Sequence, residues 1–144
     1  MKYFCLPAIV AFGLMSALAN AAPVALLQPA DHLSQATLEA ARLDWQSAGL
    51  GYVGVWAHDA ESCALIDSAP YDLFRIITPT TLTGYAATCS IAQSEKTSNG
   101  FALSGTCEGE GERNPTTIQI RIVDDETINE DDAEYNMVRC HLPD

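Results

Sequence analysis

Phe101-Ala102-Leu103-Ser104-Gly105-Thr106-Cys107 alternates strictly, with Phe101, Leu103, Gly105 and Cys107 on one register. Ile118-Gln119-Ile120-Arg121-Ile122-Val123 repeats that period with three isoleucines. Successive side chains of an extended chain point to opposite faces, so each stretch presents one apolar and one polar face. That is the pattern of antiparallel strands covered on one side only. Tyr135, Met137 and Arg139, alternating with Asn136, Val138 and Cys140, predict a last strand of the same kind. Between strand patterns, Asn99-Gly100 is a hairpin signal. Asp124-Asp125 and Asn114-Pro115 read as further turns.

Upstream of this region the chain remains β-rich. Residues 73–78 and 82–91 are bounded by Pro70, Pro79 and Gly84, and residues 50–57 are apolar on both faces, as a covered strand would be. One helix is expected, over residues 31–47. Asp31 or Ser34 can cap it, Leu38, Ala41 and Trp45 share a face, and Gly49 and Gly51 end it. Residues 22–30, with Pro23 and Pro29, read as an extended arm. The expected fold is mainly β: a small antiparallel meander closing into a barrel or sandwich, with one short N-terminal helix.

The first 21 residues read as a secretory signal. Met1-Lys2 supplies a positive start, an uncharged and mostly apolar run follows from Phe4 to Leu18, and Ala19-Asn20-Ala21 has the small-x-small form of a cleavage site. The apolar run is shorter than the ~20 residues of a spanning helix and contains Pro7 and Gly13, so no membrane contact is expected after cleavage. The expected organisation is therefore residues 1–21 as signal peptide, 22–49 as arm and short helix, and 50–144 as a disulfide-bonded β domain. Removing the signal leaves roughly 120 residues, one domain's worth, and a monomer is expected.

The net charge is −12, and it becomes one unit more negative when Lys2 leaves with the signal. Such a balance excludes nucleic acid, whose recognition needs clustered Lys and Arg, and permits a basic protein partner. Cys5 leaves with the signal, and Cys63, Cys89, Cys107 and Cys140 remain, an even number suited to an oxidising compartment. No C-x-x-C pair occurs, so no metal site, redox motif or cofactor is expected. The expected pairing is Cys63–Cys89 with Cys107–Cys140, because sequential loops are the shortest to close. The alternative is Cys89–Cys107 with Cys63–Cys140, since Cys89 and Cys107 lie almost level about the Asn99-Gly100 turn.

Two resemblances sharpen this picture. Gly54-Val55-Trp56 in the first strand, preceded by a short helix and followed by Arg139 near the end of the last strand, resembles the calycin superfamily. It implies that Trp56 closes one end of a barrel and that Arg139 stacks on it, a cation–π contact with burial of the arginine stem. Residues 54 to 140 also resemble a group of small exported proteins of Gram-negative bacteria. The matching residues are Trp56-Ala57, Cys63, Gly84-Tyr85, Cys89, residues 105–112 (G-T-C-E-G-E-G-E), Tyr135 and Arg139-Cys140. That resemblance implies a periplasmic or secreted, two-disulfide β domain and carries no activity with it.

No catalytic residue is assigned. His32, His58 and His141 occur outside any hydrolase or metalloprotease motif and read as loop residues. His58-Asp59 is poorly built as a base with its orienter, because neighbours in a strand point to opposite faces. Glu108, Glu110 and Glu112 would share one side if that segment is extended, and seven carboxylates from Asp124 to Glu134 surround Ile128. Neither set matches a calcium-loop pattern, and both read as solvated loops. The expected function is therefore non-enzymatic binding, with an unknown small apolar ligand entering a barrel mouth. The alternative is inhibition of a protease or lysozyme in the periplasm, where the apolar arm Ala22-Pro23-Val24-Ala25-Leu26-Leu27 would enter a cleft. A small acidic hydrolase ranks third.

Overall fold

Eight strands form one closed antiparallel barrel in which each pairs with the next and the last returns to the first. They are β1 (Gly54–Ala57), β2 (Phe74–Ile77), β3 (Thr81–Thr83), β4 (Thr88–Lys96), β5 (Gly100–Gly109), β6 (Glu112–Asp124), β7 (Thr127–Glu130) and β8 (Met137–Arg139). This computed structural model describes residues 22–42, 44–68 and 72–144. The segment expected to be a signal peptide, residues 1–21, and Pro70 lie outside those residues.

The alternation in β5 and β6 does what its period demands. Phe101 stands opposite Ile120 and Leu103 opposite Ile118, and these side chains meet Trp56, Ile77, Leu82, Ile128 and Met137 inside the barrel. A second apolar layer lies outside the wall. There Val55, Ala57 and Ile76 pack with Leu27, Ala40, Cys63 and Ile66, so β1 is buried on both faces.

The N-terminal segment supplies that outer layer: its first residues form the expected arm without helix, packed against the barrel, but the expected single helix is broken. Leu26 forms a parallel bridge with His141, Leu27 N–H donates to the His141 carbonyl (2.8 Å), and the Leu27 side chain is buried. Residues 31–47 are not one helix. A 3-10 turn covers Ala30–His32, followed by α1 (Gln35–Ala40) and α2 (Asp44–Ser47). Ser34 caps α1 through a bond from Thr37 N–H, so of the two candidate caps it is the serine that serves. The indole N–H of Trp45 turns back to the Glu39 carbonyl (2.8 Å) at the end of α1, a carbonyl that also accepts a long bond from Arg42 N–H (3.4 Å). At the end of α2, Leu50 N–H reaches Trp45 O and Gly49 N–H reaches Gln46 O. Gly49 has φ 78°, which gives the left-handed closure that glycine permits.

Other boundaries shift for stated reasons. β1 begins at Gly54, because residues 50–53 cross the barrel base. The stretch 82–91 breaks at Gly84 into β3 and β4. Asn114-Pro115 is no turn: both residues lie inside β6, opposite Cys107 and Thr106. The turn falls at Glu110-Gly111, whose φ values of 52° and 80° suit a tight hairpin. Glu108, Glu110 and Glu112 thus bracket a reversal and do not form one extended row. At Asn99-Gly100 a hairpin does occur, closed by Thr97 N–H to Gly100 O (2.9 Å), but Gly100 is extended. Glycine is needed there because a Cβ would collide with the Ile120 carbonyl.

The disulfides are Cys63–Cys140 and Cys89–Cys107. The sequential pairing expected from loop length is therefore wrong. Cys89 and Cys107 face each other across β4 and β5, a register produced by a bulge between Ile91 and Gln93. Cys63–Cys140 ties the outer layer to the chain just after β8. Two bridges fit an oxidising, non-cytoplasmic location.

Candidate ligand site at the open barrel mouth

The two ends of the barrel are unlike. At the closed end Trp56 and Arg139 stand opposite each other on β1 and β8, and the guanidinium lies 4.2 Å from the indole centroid. Each of its three nitrogens donates to a backbone carbonyl: Nη1 to Val53 O (3.0 Å), Nη2 to Gly51 O (2.9 Å) and Nε to Asp125 O (2.9 Å). Burial pushes the Arg139 pKa down from the usual guanidinium value, against the opposing pull of Glu126 and Asp125. Trp56 N–H donates to Tyr52 O (3.1 Å), and the Tyr52 ring packs on Phe101 at 4.7 Å. Gly54 completes the fit, since a Cβ there would lie 2.7 Å from Arg139 Nη1 and 3.0 Å from the indole. This end is a plug.

At the opposite end a cavity of about 540 Å³ opens to solvent. Its floor is an ion pair. Arg75, opposite Trp56 on β2, points inward and donates from Nε to Glu130 Oε2 (2.6 Å) and from Nη2 to Glu130 Oε1 (2.9 Å). Arg75 Nη1 also donates to Phe74 O (2.7 Å), and a Cβ at Gly84 would come within 2.9 Å of it. The pair is held in fixed geometry, with side-chain exposures of 25% and 17%. The wall above is mostly apolar: Leu82, the Cys89–Cys107 bridge, Ile118 and the Tyr85-Ala86-Ala87 loop. Tyr85 is 62% exposed at the rim, beside the carboxylates of Asp72 and Asp131.

The remaining candidate groups are dispersed. Hydrogen bonding from Ser62, first from its side chain and then from its N–H (2.8 Å), lowers the pKa of the Asp59 carboxylate. His58 meets the Tyr135 ring edge-on at 5.0 Å. His32 lies 3.6 Å from Asp31 on an exposed turn. His141 differs from the expected loop residue, because it pairs with Leu26 and its Nε2 lies 2.5 Å from Glu126 Oε2. Among the acidic residues, Glu108 pairs with Arg113, Glu130 with Arg75, and Asp132 with Arg121. Among the described residues no three His, Cys, Asp or Glu side chains converge as metal ligands would.

The sequence brings together Trp56 and Arg139 and leads to a barrel mouth, but Arg75 is not among its candidates, and Glu130, expected in a solvated loop, lies in β7 and is paired with Arg75. One signal was present: Arg75 is a lone cation in the apolar run Phe74-Arg75-Ile76-Ile77. A buried charge is placed only with a partner. Comparison with family models, with curated proteins and with solved structures finds no match for the chain.

Proposed function

We propose that this is an exported, periplasmic or secreted binding domain, without catalytic activity, that takes an apolar surface of its ligand into the open barrel mouth. The single observation that carries this reading is the mouth itself, with an apolar wall, a fixed ion pair below it and an exposed aromatic at its rim. A concave apolar site with a few placed polar groups is the usual form of a ligand pocket, and its volume falls in the ordinary range. Against hydrolysis stands the employment of the candidate groups elsewhere: Asp59 closes a turn, and His58 packs on Tyr135. Against cleft insertion by the N-terminal arm stands the burial of Leu27 in the protein's own outer layer.

The test uses N-phenyl-1-naphthylamine, a neutral fluorescent probe, on mature protein and on Ala86→Trp, which plugs the mouth from an exposed loop. Enhancement with the unaltered protein and its loss in the variant are expected. Binding that Ala86→Trp leaves unchanged would place the apolar site elsewhere and sink the reading.

A further inference from the structure

β6 is longer than the strand that should cover it. Its pairing with β7 ends at Ile120 opposite Glu130, with one more bond from Asp131 N–H to Gln119 O (2.8 Å). There the chain turns away: Asp131 and Asp132 have φ 47° and 56°, and the Asp131 carboxylate takes the Gln119 N–H (2.7 Å) in place of a ladder carbonyl. From residue 118 back to 112, β6 has no neighbour on that side among the described residues.

The direction of the free main-chain groups follows from alternation. Both Gln119 groups point toward the β7 side, and the β5–β6 register runs without a shift from Gly100–Arg121 to Gly109–Glu112. The main chains of Thr117, Pro115 and Arg113 therefore also point outward. Pro115 sits where its missing N–H costs no bond to β5, and it removes one donor from the edge. Donors at Arg113 and Thr117 and acceptors at all three positions remain. Beside this edge, the inward side chains of Thr116 and Ile118 line the mouth. The cavity continues as a groove past Thr116 to Glu110 and Glu112.

The charges around it that lack an ion-pair partner have one sign. The nearby cations Arg75 and Arg113 are each paired, with Glu130 and Glu108. Asp72, Glu110 and Glu112 have no cationic partner among the described residues.

Building on the mouth as the binding site, we infer that its ligand is an extended segment of a basic polypeptide that adds as a strand to the free edge of β6. Main-chain bonds at Arg113, Pro115 and Thr117 hold the segment. Alternate apolar side chains enter the mouth, and the positive charge of the segment complements the excess of carboxylates around it.

The probe is a fluorescein-labelled heptapeptide amide, Lys-Val-Lys-Val-Lys-Val-Lys, read by anisotropy on the mature protein. It should bind, more weakly as salt rises. Thr117→Pro, which deletes an outward donor, should weaken binding about tenfold, and Thr117→Val should not. Equal binding by the two variants would overturn strand addition. Should Thr117→Pro unfold the hairpin, peptides N-methylated at the valines or at the lysines decide the matter on unaltered protein. Only one pattern should abolish binding, and indifference to both overturns the inference. If the peptide fails while N-phenyl-1-naphthylamine still enters the mouth, the ligand is a small molecule and only the strand is lost. If both fail, the mouth reading falls with it.

Discussion

Gly54 and Arg139 approach so closely that a single methyl group on the glycine would sit 2.7 Å from the guanidinium nitrogen Nη1. The same methyl would press on the Trp56 indole at 3.0 Å. The guanidinium is therefore held in a slot with the glycine and indole as walls and three carbonyls fixing its edges. Gly54→Ala should cost about 1–3 kcal/mol, the usual range for overpacking a filled site. Urea unfolding measures it, and an unchanged midpoint would mean that the slot is loose.

Within that slot, Trp56→Ala should cost about 3–5 kcal/mol, as for other large buried aromatics. Arg139→Ala should cost about 3 kcal/mol, because it leaves buried carbonyls without their charged donor. Arg139→Lys should recover less than half of that loss, since an ammonium cannot reproduce the planar fork. A double-mutant cycle on Trp56 and Arg139 should show coupling of about 1 kcal/mol or more. Simple additivity would separate the two residues energetically.

The two disulfides should differ in strength. Cys63–Cys140 spans 77 residues and Cys89–Cys107 spans 18. Loop-closure entropy then assigns about 4.5 kcal/mol to the first and about 3 kcal/mol to the second. Paired alanine substitutions, compared by denaturant titration, check the order. Non-reducing peptide mapping checks the pairing itself, and a Cys63–Cys89 peptide would contradict it.

The outer layer makes a separate prediction. Leu27→Ala should destabilise by about 2–3 kcal/mol, in the lower part of the buried-leucine range, because its neighbours are small and can close in. Val24→Ala should be silent, since Val24 is 72% exposed. Equal, negligible effects at both positions would show that the arm is not part of the folded domain.

At the mouth, Glu130→Gln should cost about 2–3 kcal/mol, less than for a fully buried pair, by leaving Arg75 without its counter-charge. Glu110→Asn should do the opposite. Asn tolerates φ 52° better than Glu and forms an Asn-Gly turn with Gly111, for a gain of a few tenths of a kcal/mol. Thermal melts of both variants decide, and a stabilised Glu130→Gln would mean that the pair is not structurally required.

How far the sequence reaches depends on the range of the interaction. β5, β6 and β8 are legible because a period of two with one apolar face needs no distant information. The slot at the closed end is legible through the calycin resemblance, which implies that Arg139 stacks on Trp56, and the pairing of β1 with β8 brings the two together. The Cys89–Cys107 register is legible only to within one residue, enough to offer the observed pairing as an alternative and not enough to choose it. Counted evenly from the Lys96–Phe101 pair, Cys89 would face Glu108, and only the bulge after Ile91 brings Cys107 opposite. A mouth is expected of such a barrel, but its lining is illegible for a related reason: the β6–β7 pairing stops short where Asp131 and Asp132 turn the chain away with positive φ. Pro115 misleads because a proline inside a strand usually marks a turn. Here it lies at an edge position with no partner to lose.

The Cys63–Cys140 bridge also has a meaning in time. A chain is made and delivered from its first residue onward, so the β4–β5 hairpin with Cys89 and Cys107 is available while Cys140 is still to come. Cys63 must wait, unpaired, for a partner that arrives 77 residues later. During that wait Cys89 and Cys107 are the nearest wrong partners, and a bond to either would trap the chain short of closure. A hairpin bridge that closed first would remove both from competition, and Cys63–Cys140 would then be the bond that locks the outer layer to the end of the last strand.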